Sequence, residues 1–265
     1  MPGFFKLRDE PSVVGRAVAG SACVVLLLAG WTICTLGPPE QRILKPLIIG
    51  SPIETFGAFR SLWFERALTR NIFASLWRVL LGFGLAAVIG VPLGIACGTW
   101  PRLNAFIAPI SVFGRNIPMS ALVPLTLLWF GIEELQKVMF IFLACVMFVV
   151  FDSARAIASV HERYIQTALT LGANQEQVIA KVLVPLALPD IFGSLRLLFG
   201  LAFGYIILAE MINAEEGLGM LILNSQRRGM NEHIYLILIT ITMVAYGIDR
   251  GLLLIQRSIF PYQEV

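Results

Sequence analysis

Long apolar stretches, separated by short polar segments, dominate the chain. Several of them reach about 18 residues or more, close to the 20 that a helix needs to cross roughly 30 Å of hydrocarbon. The alternating ten-residue segments typical of a membrane β-barrel do not occur in the sequence. The pattern predicts an all-α polytopic membrane protein with about six transmembrane helices, at residues 16–36, 72–98, 105–130, 137–155, 194–213 and 233–254.

Composition agrees with this class of protein. The 265 residues are 57% hydrophobic and 14% charged, against about 25% charged in a soluble domain. The formal net charge of +3 comes without a basic cluster interleaved with aromatics, which argues against nucleic acid as a partner. Single cysteines within apolar stretches are predicted to be small buried hydrophobic side chains, at Cys23, Cys34, Cys97 and Cys145.

The first apolar stretch, from about Ala17 to Leu36, follows the basic residues Lys6, Arg8 and Arg16. A cleaved signal peptide also begins with a basic segment, but its apolar region is only about 7–15 residues long. The longer stretch in this chain therefore predicts a retained signal anchor.

The third predicted span is interrupted by Pro109, Pro118 and Pro124 and contains Arg115. A broken helix with an embedded charge is tolerated in a membrane only where it faces protein or water. We therefore expect this span to line a cavity. Arg115 would either pair with carbonyls freed by Pro109 and Pro118 or border the pathway of an anionic solute.

Two spans carry small residues at every fourth position, which allows the backbones of neighbouring helices to approach closely. The pattern predicts close helix packing in the second and fifth spans, through Gly82, Ala86, Gly90, Gly94 and Gly98 in the one and Gly200 and Gly204 in the other.

The stretch 166–190 is polar but keeps helical spacing. A short amphipathic helix is expected to end at Gly172, which is free to adopt a positive φ. Asn174 with Gln177 three residues later is the N-cap signature of a second helix, and Pro185 is expected to end that helix. This helix–glycine–helix element, here called the elbow, would lie at a membrane surface, either as a docking knob or as a connector without a partner.

The elbow resembles the EAA loop of bacterial ABC importer permeases. That pattern has Glu-Ala-Ala, three residues, Gly, nine residues and Ile-x-Leu-Pro. This chain has Gln166-Thr167-Ala168, then Gly172, then Val182-x-Val184-Pro185, with the same spacing. The leading Glu and the first Ala of the pattern are thus replaced, so any role of that Glu charge is absent here.

Two flanking segments strengthen the resemblance. RNIPMSALVPLTLLWFGI (115–132) and LAEMINAEEGLGMLILNS (208–225) resemble the third and fifth spans of the nitrate/sulfonate/taurine permease family. The resemblance extends from about Ile43 to Pro261. It departs at FDSARAI (151–157), where many members of the family carry Asn-Thr and a Gly.

The resemblance implies a type I ABC importer-like fold and sets the topology, because EAA loops are cytosolic. Residues 1–36 would form a cytosolic segment and the first transmembrane helix, and 37–71 an external loop with an interfacial helix around Ile53–Trp63. The core permease domain would span 72–265 and contain the cytosolic coupling loop 156–193. Both termini would be cytosolic, in a multi-pass protein of the bacterial inner membrane.

Motifs for nucleotide or metal chemistry are missing from the sequence. It contains no Walker A pattern, no nucleophile elbow and only two distant histidines, His161 and His233. The chain is therefore not expected to be an enzyme or to hold a cofactor. The resemblance implies that a partner ABC ATPase dimer binds ATP and Mg²⁺ and that the elbow transmits its motion.

The resemblance also implies two sets of site residues. The ATPase-coupling set is Gln166, Thr167, Ala168, Leu171, Gly172, Ala173, Gln177 and Pro185. The translocation-pathway set is Arg115, Met119, Pro124, Leu125, Leu208, Glu210 and Met211. Glu210, toward the outer third of its span, would be either a structural partner or a gate, and Asp152 a capping or interfacial charge.

The function implied is the transmembrane permease subunit of an ATP-driven importer. Two copies would form the pathway for a small anionic or zwitterionic solute such as nitrate, bicarbonate, a sulfonate or taurine. A periplasmic or lipid-anchored binding protein would deliver the solute. An ion- or proton-coupled secondary transporter is the alternative and predicts matching broken helices in both halves. A membrane enzyme would need convergent ionisable groups.

Overall fold

A computed structural model describes residues 12–38, 40–46 and 48–261, so that Lys6 and Arg8 of the predicted signal anchor lie outside the described residues. The described chain is helical. The helices are α1 (Val13–Cys34), α2 (Pro52–Gly57), α3 (Leu68–Thr99), α4 (Pro101–Arg115), α5 (Met119–Phe130), α6 (Glu134–Ala158), α7 (Glu162–Thr170), α8 (Gln175–Val178), α9 (Val184–Asn213), α10 (Leu218–Arg227) and α11 (Asn231–Ile259), with π-helical turns at Ser61–Glu65 and Ile179–Leu183.

The number of membrane-spanning helices agrees with the sequence. Five helices among the described residues are long and apolar enough to cross a membrane, and the bent pair α4–α5 makes a sixth. The elbow lies at one end of this bundle, which we call the elbow side. The segments between α1 and α3 and between α9 and α10 lie at the opposite end, which we call the loop side. The prediction of about six spans is confirmed.

The centre of the bundle is the packing of α3 against α6. Gly82, Gly90, Gly94 and Gly98 face α6 so closely that a Cβ added to any of them would lie 2.5–2.8 Å from an α6 atom. Such distances require glycine, because real Cβ atoms do not approach so near. The predicted close packing of the second span is therefore confirmed.

The small residues of the fifth span behave differently. A Cβ added to Gly200 or Gly204 in α9 would meet nothing within 4 Å. Both glycines instead line an open cleft between α9 and α11. The prediction that they pack closely against another helix is wrong within this chain, because the periodicity cannot tell which helix, if any, faces them.

Helix α1 stands apart from the bundle. No residue in the most apolar part of α1 is buried against the rest of the described chain. Cys23 on α1 is exposed and Cys34 half-buried, whereas Cys97 and Cys145 are buried. The prediction of burial therefore holds for the two cysteines of the bundle and is wrong for Cys23.

The interruption of the third span lies at one of its three prolines. Helices α4 and α5 meet at an angle of 102°. The break falls just before Pro118, since the α conformation is disfavoured for the residue preceding a proline. Pro109 and Pro124 lie inside α4 and α5. The broken span is confirmed, and it is the single bent pair of this kind among the described residues.

Pro185 does not end the second helix of the elbow, and that prediction is wrong. The helix runs on through the π-turn Ile179–Leu183 into α9, so the span extends from Gln175 to Ile212. The N–H of Val184 bonds to the carbonyl of Ile179 across the wider turn. Pro185 therefore lies in the first turn of α9, where its missing N–H does not interrupt the backbone hydrogen bonds of the helix.

A short helix, α2, and the π-turn after it lie in the loop-side segment 37–71, where an interfacial helix is expected; the interfacial position of this helix stays a prediction. A capping box closes the N-terminus of α2, in which Ser51 and Glu54 bond to each other's backbone N–H groups. The guanidinium of Arg42 donates two hydrogen bonds to the Glu54 carboxylate, at 3.1 and 3.0 Å. These bonds hold the pKa of Glu54 at about 2, below its ordinary 4.5.

This ion pair predicts a pH-dependent contribution to stability. Because the folded pKa is lowered, the contribution is present above about pH 4.5 and is lost as the pH falls toward 2. Glu54 is 43% exposed, so we expect Glu54→Gln to cost only about 0.5–1 kcal/mol at pH 7. The difference in unfolding midpoint between wild type and Glu54→Gln should vanish near pH 2. The exposed control is Glu215→Gln. The expectation would be contradicted if the midpoint difference between wild type and Glu54→Gln stayed constant from pH 7 to 2.5, or if Glu215→Gln lowered the midpoint as much as Glu54→Gln.

Candidate functional site

The elbow is a folded element with a defined shape. Helix α7 ends before Gly172, which adopts φ +85°, a conformation that favours glycine. Helix α8 then begins at a capping box in which the Asn174 side chain accepts from the N–H of Gln177 at 2.8 Å and the Gln177 side chain from the N–H of Asn174 at 3.0 Å. The predicted glycine bend and N-cap are both confirmed.

A small hydrophobic cluster fixes the elbow to the bundle. Val178 and Leu183 of the elbow pack with Ala156 and Ile157 at the end of α6. Partly buried side chains of α3 complete the contact. The elbow is thus seated on the ends of α3, α6 and α9 rather than suspended from a flexible loop.

Several apolar side chains of α7 and the glycine bend are exposed. Leu171, next to the glycine bend, is 82% exposed, and Leu169 and Tyr164 are exposed as well. Exposed apolar side chains grouped on a folded surface element are typical of a protein-binding site.

Some of the predicted coupling residues are half-buried and the others are exposed. Ala168 and Ala173 are half-buried and pack against the small cluster. The exposed members are Gln166, Thr167, Leu171, Gly172, Gln177 and Pro185. Gln166, which stands where the EAA pattern has Glu, reaches Glu162 one turn earlier, with Nε2–Oε1 at 3.5 Å. Contact of this set with an ATPase stays a prediction.

The predicted pathway residues of α5 and α9 lie on two helices that contact each other. Met119 and Met211 are half-buried and pack against the main hydrophobic core. Pro124, Leu125 and Leu208 are exposed in the single chain. Their place along a translocation pathway stays a prediction.

Arg115 lies at the bend between α4 and α5. Its guanidinium carbon stands 3.5 Å from the ring centroid of Phe151 on α6, a cation–π contact that the sequence did not predict. No hydrogen bond from Arg115 to a carbonyl occurs within the described chain, and its Nε is buried without a hydrogen-bond partner. The half-buried Asp152 lies within electrostatic reach of Arg115 and Arg155.

Glu210 is a structural partner in this conformation. Its side chain is fully buried and accepts hydrogen bonds from Ser75 at 2.8 Å, from Nη1 of Arg78 at 2.7 Å and from the N–H of Gly219 at 2.9 Å. The carboxylate thus joins α9 to α3 and to the first turn of α10.

Arg78 is the centre of this arrangement, and it is not among the site residues predicted from the sequence. It donates to both carboxylate oxygens of Glu134 at 2.6 and 2.7 Å and to the carbonyl of Glu216 at 2.6 Å. The buried Lys137 donates to the same Glu134 at 3.2 Å. We call Ser75, Arg78, Glu134, Lys137 and Glu210 the loop-side polar cluster.

A signal for Arg78 was present in the sequence. Arg78 stands within a long apolar stretch, where an isolated guanidinium is so costly that it requires an acidic partner. Glu210 is likewise a charge within an apolar span, near the loop-side end of that span. Matching the two charges across spans would have suggested the pair.

Comparison with known proteins identifies the class of this molecule. A family model described as "Binding-protein-dependent transport system inner membrane component" matches residues 90–255. The chain therefore belongs to this family of membrane-embedded permease components. Within it, the resemblance to ABC permeases of the nitrate/sulfonate/taurine family is confirmed.

The relatives cover most of the chain. The taurine transport system permease protein of Escherichia coli (strain K12) is 32% identical over 246 residues, which are 90% of this chain and 86% of that protein. The nitrate import permease protein of Synechocystis sp. (strain ATCC 27184 / PCC 6803 / Kazusa) is 28% identical over 96% of this chain and 92% of its own length.

Solved structures support the fold. The inward-facing MetNI methionine ABC transporter superposes with a TM-score of 0.67, at 22% sequence identity, over 76% of this chain and 98% of the matched chain. The type I ABC importer permease fold is thus confirmed. The protein is a multi-pass ABC importer permease.

Proposed function

We propose that two copies of this chain form the pathway of an ATP-driven importer and that the elbow of each copy docks an ABC ATPase subunit. The observation that carries this proposal is the elbow itself, a rigid element seated on three spans with the apolar Leu171 exposed at its tip. ATP and Mg²⁺ would bind to the ATPase partners. Closure of the ATPases would then move the elbows and shift the permease between two arrangements.

The cargo in this proposal is a small anionic or zwitterionic solute, delivered by a substrate-binding protein to the loop side. The relatives whose names specify taurine, aliphatic sulfonates, nitrate and bicarbonate support this class of solute. The loop side would face outward, and the elbow and both termini would face the cytosol. The pathway would run between α5 and α9 of the two copies, past Leu125 and Leu208.

The test is co-purification of an ABC ATPase subunit with the tagged full-length chain, with ATP hydrolysis by the complex as a second readout. Leu171→Asp should lower the recovered ATPase at least about tenfold, because a central apolar contact at a protein interface is worth about 2 kcal/mol. Gly172→Val should do the same, since a β-branched residue does not tolerate the positive φ of this bend.

Ile43→Asp is the matched control, because Ile43 is 75% exposed and lies on the loop side. It should leave ATPase recovery unchanged. Two results would overturn the proposal, namely wild-type protein that recovers no ATPase on co-expression, or a folded Leu171→Asp variant that recovers as much as wild type.

A further inference from the structure

An apolar cleft of about 450 Å³ runs between α9 and α11. Gly200 and Gly204 form part of one wall and leave it open, since a Cβ at either position would meet nothing within 4 Å. Ile241 and Ala245 line the facing wall on α11, and Phe203 is buried beside them. The two helices contact each other, so the cleft suits an extended hydrocarbon chain better than a helix about 10 Å across.

An ion pair lies in the elbow-side part of the cleft. Nε of Arg196 approaches Oδ1 of Asp249 at 2.9 Å, and Nη1 of Arg196 donates to Gln256 at 3.3 Å. The side chain of Arg196 is 21% exposed and that of Asp249 is 41% exposed. Charges so exposed at the edge of the hydrocarbon are costly unless a polar group covers them.

This ion pair lies in the elbow-side part of α9 and α11, inside the ends of both helices. Asp249 lies about ten residues, or about 15 Å along the helix, before the elbow-side end of α11. Long charged side chains at such a level reach toward the interface. Arg250 and Tyr246 are exposed beside the pair, and the guanidinium carbon of Arg250 lies 5.0 Å from the Tyr246 ring centroid. An Arg and a Tyr at one level are typical of a membrane interface.

We infer that this cleft is a binding site for an anionic phospholipid of the elbow-side leaflet. One acyl chain lies along Gly200 and Gly204, and the phosphate is bound by Arg250 and the exposed edge of Arg196. Asp249 neutralises the charge of Arg196, so Arg250 leaves one net positive charge at this site. A net positive charge favours an anionic headgroup over a zwitterionic one. Only the assignment of this leaflet to the cytosolic side rests on the proposed function.

The test uses the full-length protein in nanodiscs of phosphatidylcholine with and without phosphatidylglycerol. Native mass spectrometry measures the phosphatidylglycerol retained per chain, and the unfolding midpoint is measured in parallel. Arg250→Gln should lower retention about fivefold, since one cation near an anionic leaflet contributes about 1 kcal/mol. Gly204→Leu should lower retention at least as much, because the new side chain fills the cleft.

Two control variants carry the same changes elsewhere. Gly84→Leu places leucine at another helical glycine with nothing within 4 Å of its Cβ, and Arg228→Gln removes an exposed charge near the loop side. Both should retain phosphatidylglycerol and its stabilising effect. Retention that is equal in all variants would overturn the site. So would a Gly204→Leu variant that keeps its lipid but changes oligomeric state, which would identify the cleft as a face for a second copy.

Discussion

Replacing Arg78 by alanine is expected to lower the free energy of unfolding by about 3–5 kcal/mol, because removing one partner of a buried ion pair leaves the other charge uncompensated. Arg78 is 5% exposed at its side chain and pairs with Glu210, which is fully buried, at 2.7 Å. The same guanidinium also holds Glu134 and the carbonyl of Glu216. Its loss would leave three elements without their shared donor.

Unfolding of the purified protein in mixed micelles would measure this effect. The matched control is Arg70→Ala, since Arg70 also pairs with a glutamate on the loop side but is 71% exposed; its cost should stay below about 1 kcal/mol. A double variant, Arg78→Met with Glu210→Gln, should recover part of the loss because no buried charge remains unpaired. Equal costs for Arg78→Ala and Arg70→Ala would show that the cluster contributes little.

Gly94→Val is expected to be the second most damaging change, at about 3 kcal/mol or more. A Cβ at Gly94 would stand 2.5 Å from Cβ of Ser153 and 2.6 Å from the carbonyl oxygen of Val150. The carbonyl belongs to the backbone of α6 and cannot turn aside. Helices α3 and α6, which form the most extensive helix–helix contact of the bundle, would therefore have to separate.

Gly84→Val in the same helix is the control, because nothing lies within 4 Å of its added Cβ. It should change the unfolding free energy by no more than about 0.5 kcal/mol. Thermal unfolding of both variants beside wild type measures the difference. If Gly94→Val proved as stable as Gly84→Val, the close contact between α3 and α6 would be refuted.

The parts of the fold that follow from local pattern could be predicted from the sequence. The six spans depend on the length of apolar stretches, and the glycine bend and N-cap of the elbow depend on residues within three positions of each other. The start of the fifth span was misplaced, because the π-turn that accommodates Pro185 leaves no local signal. The separation of α1 from the bundle also depends on contacts that periodicity does not contain.

The candidate site was predictable to a similar extent. The shape of the elbow was predicted through the spacing around Gly172, since its geometry is local, whereas the role of the coupling set stays a prediction. Arg78 was missed because its significance depends on partners 56 and 132 positions away in sequence, Glu134 and Glu210. The stacking of Arg115 on Phe151 was missed for the same reason.

The helix that begins in the elbow does not stop at the membrane surface. It runs over 38 residues from Gln175 to Ile212, about 57 Å, and Glu210 near its far end is anchored by Arg78. The elbow and the loop-side polar cluster are thus the two ends of one rod. Because α9 also packs on α6, a tilt of this rod would displace Glu210, and we expect the buried ion pair between Glu210 and Arg78 to oppose such a tilt.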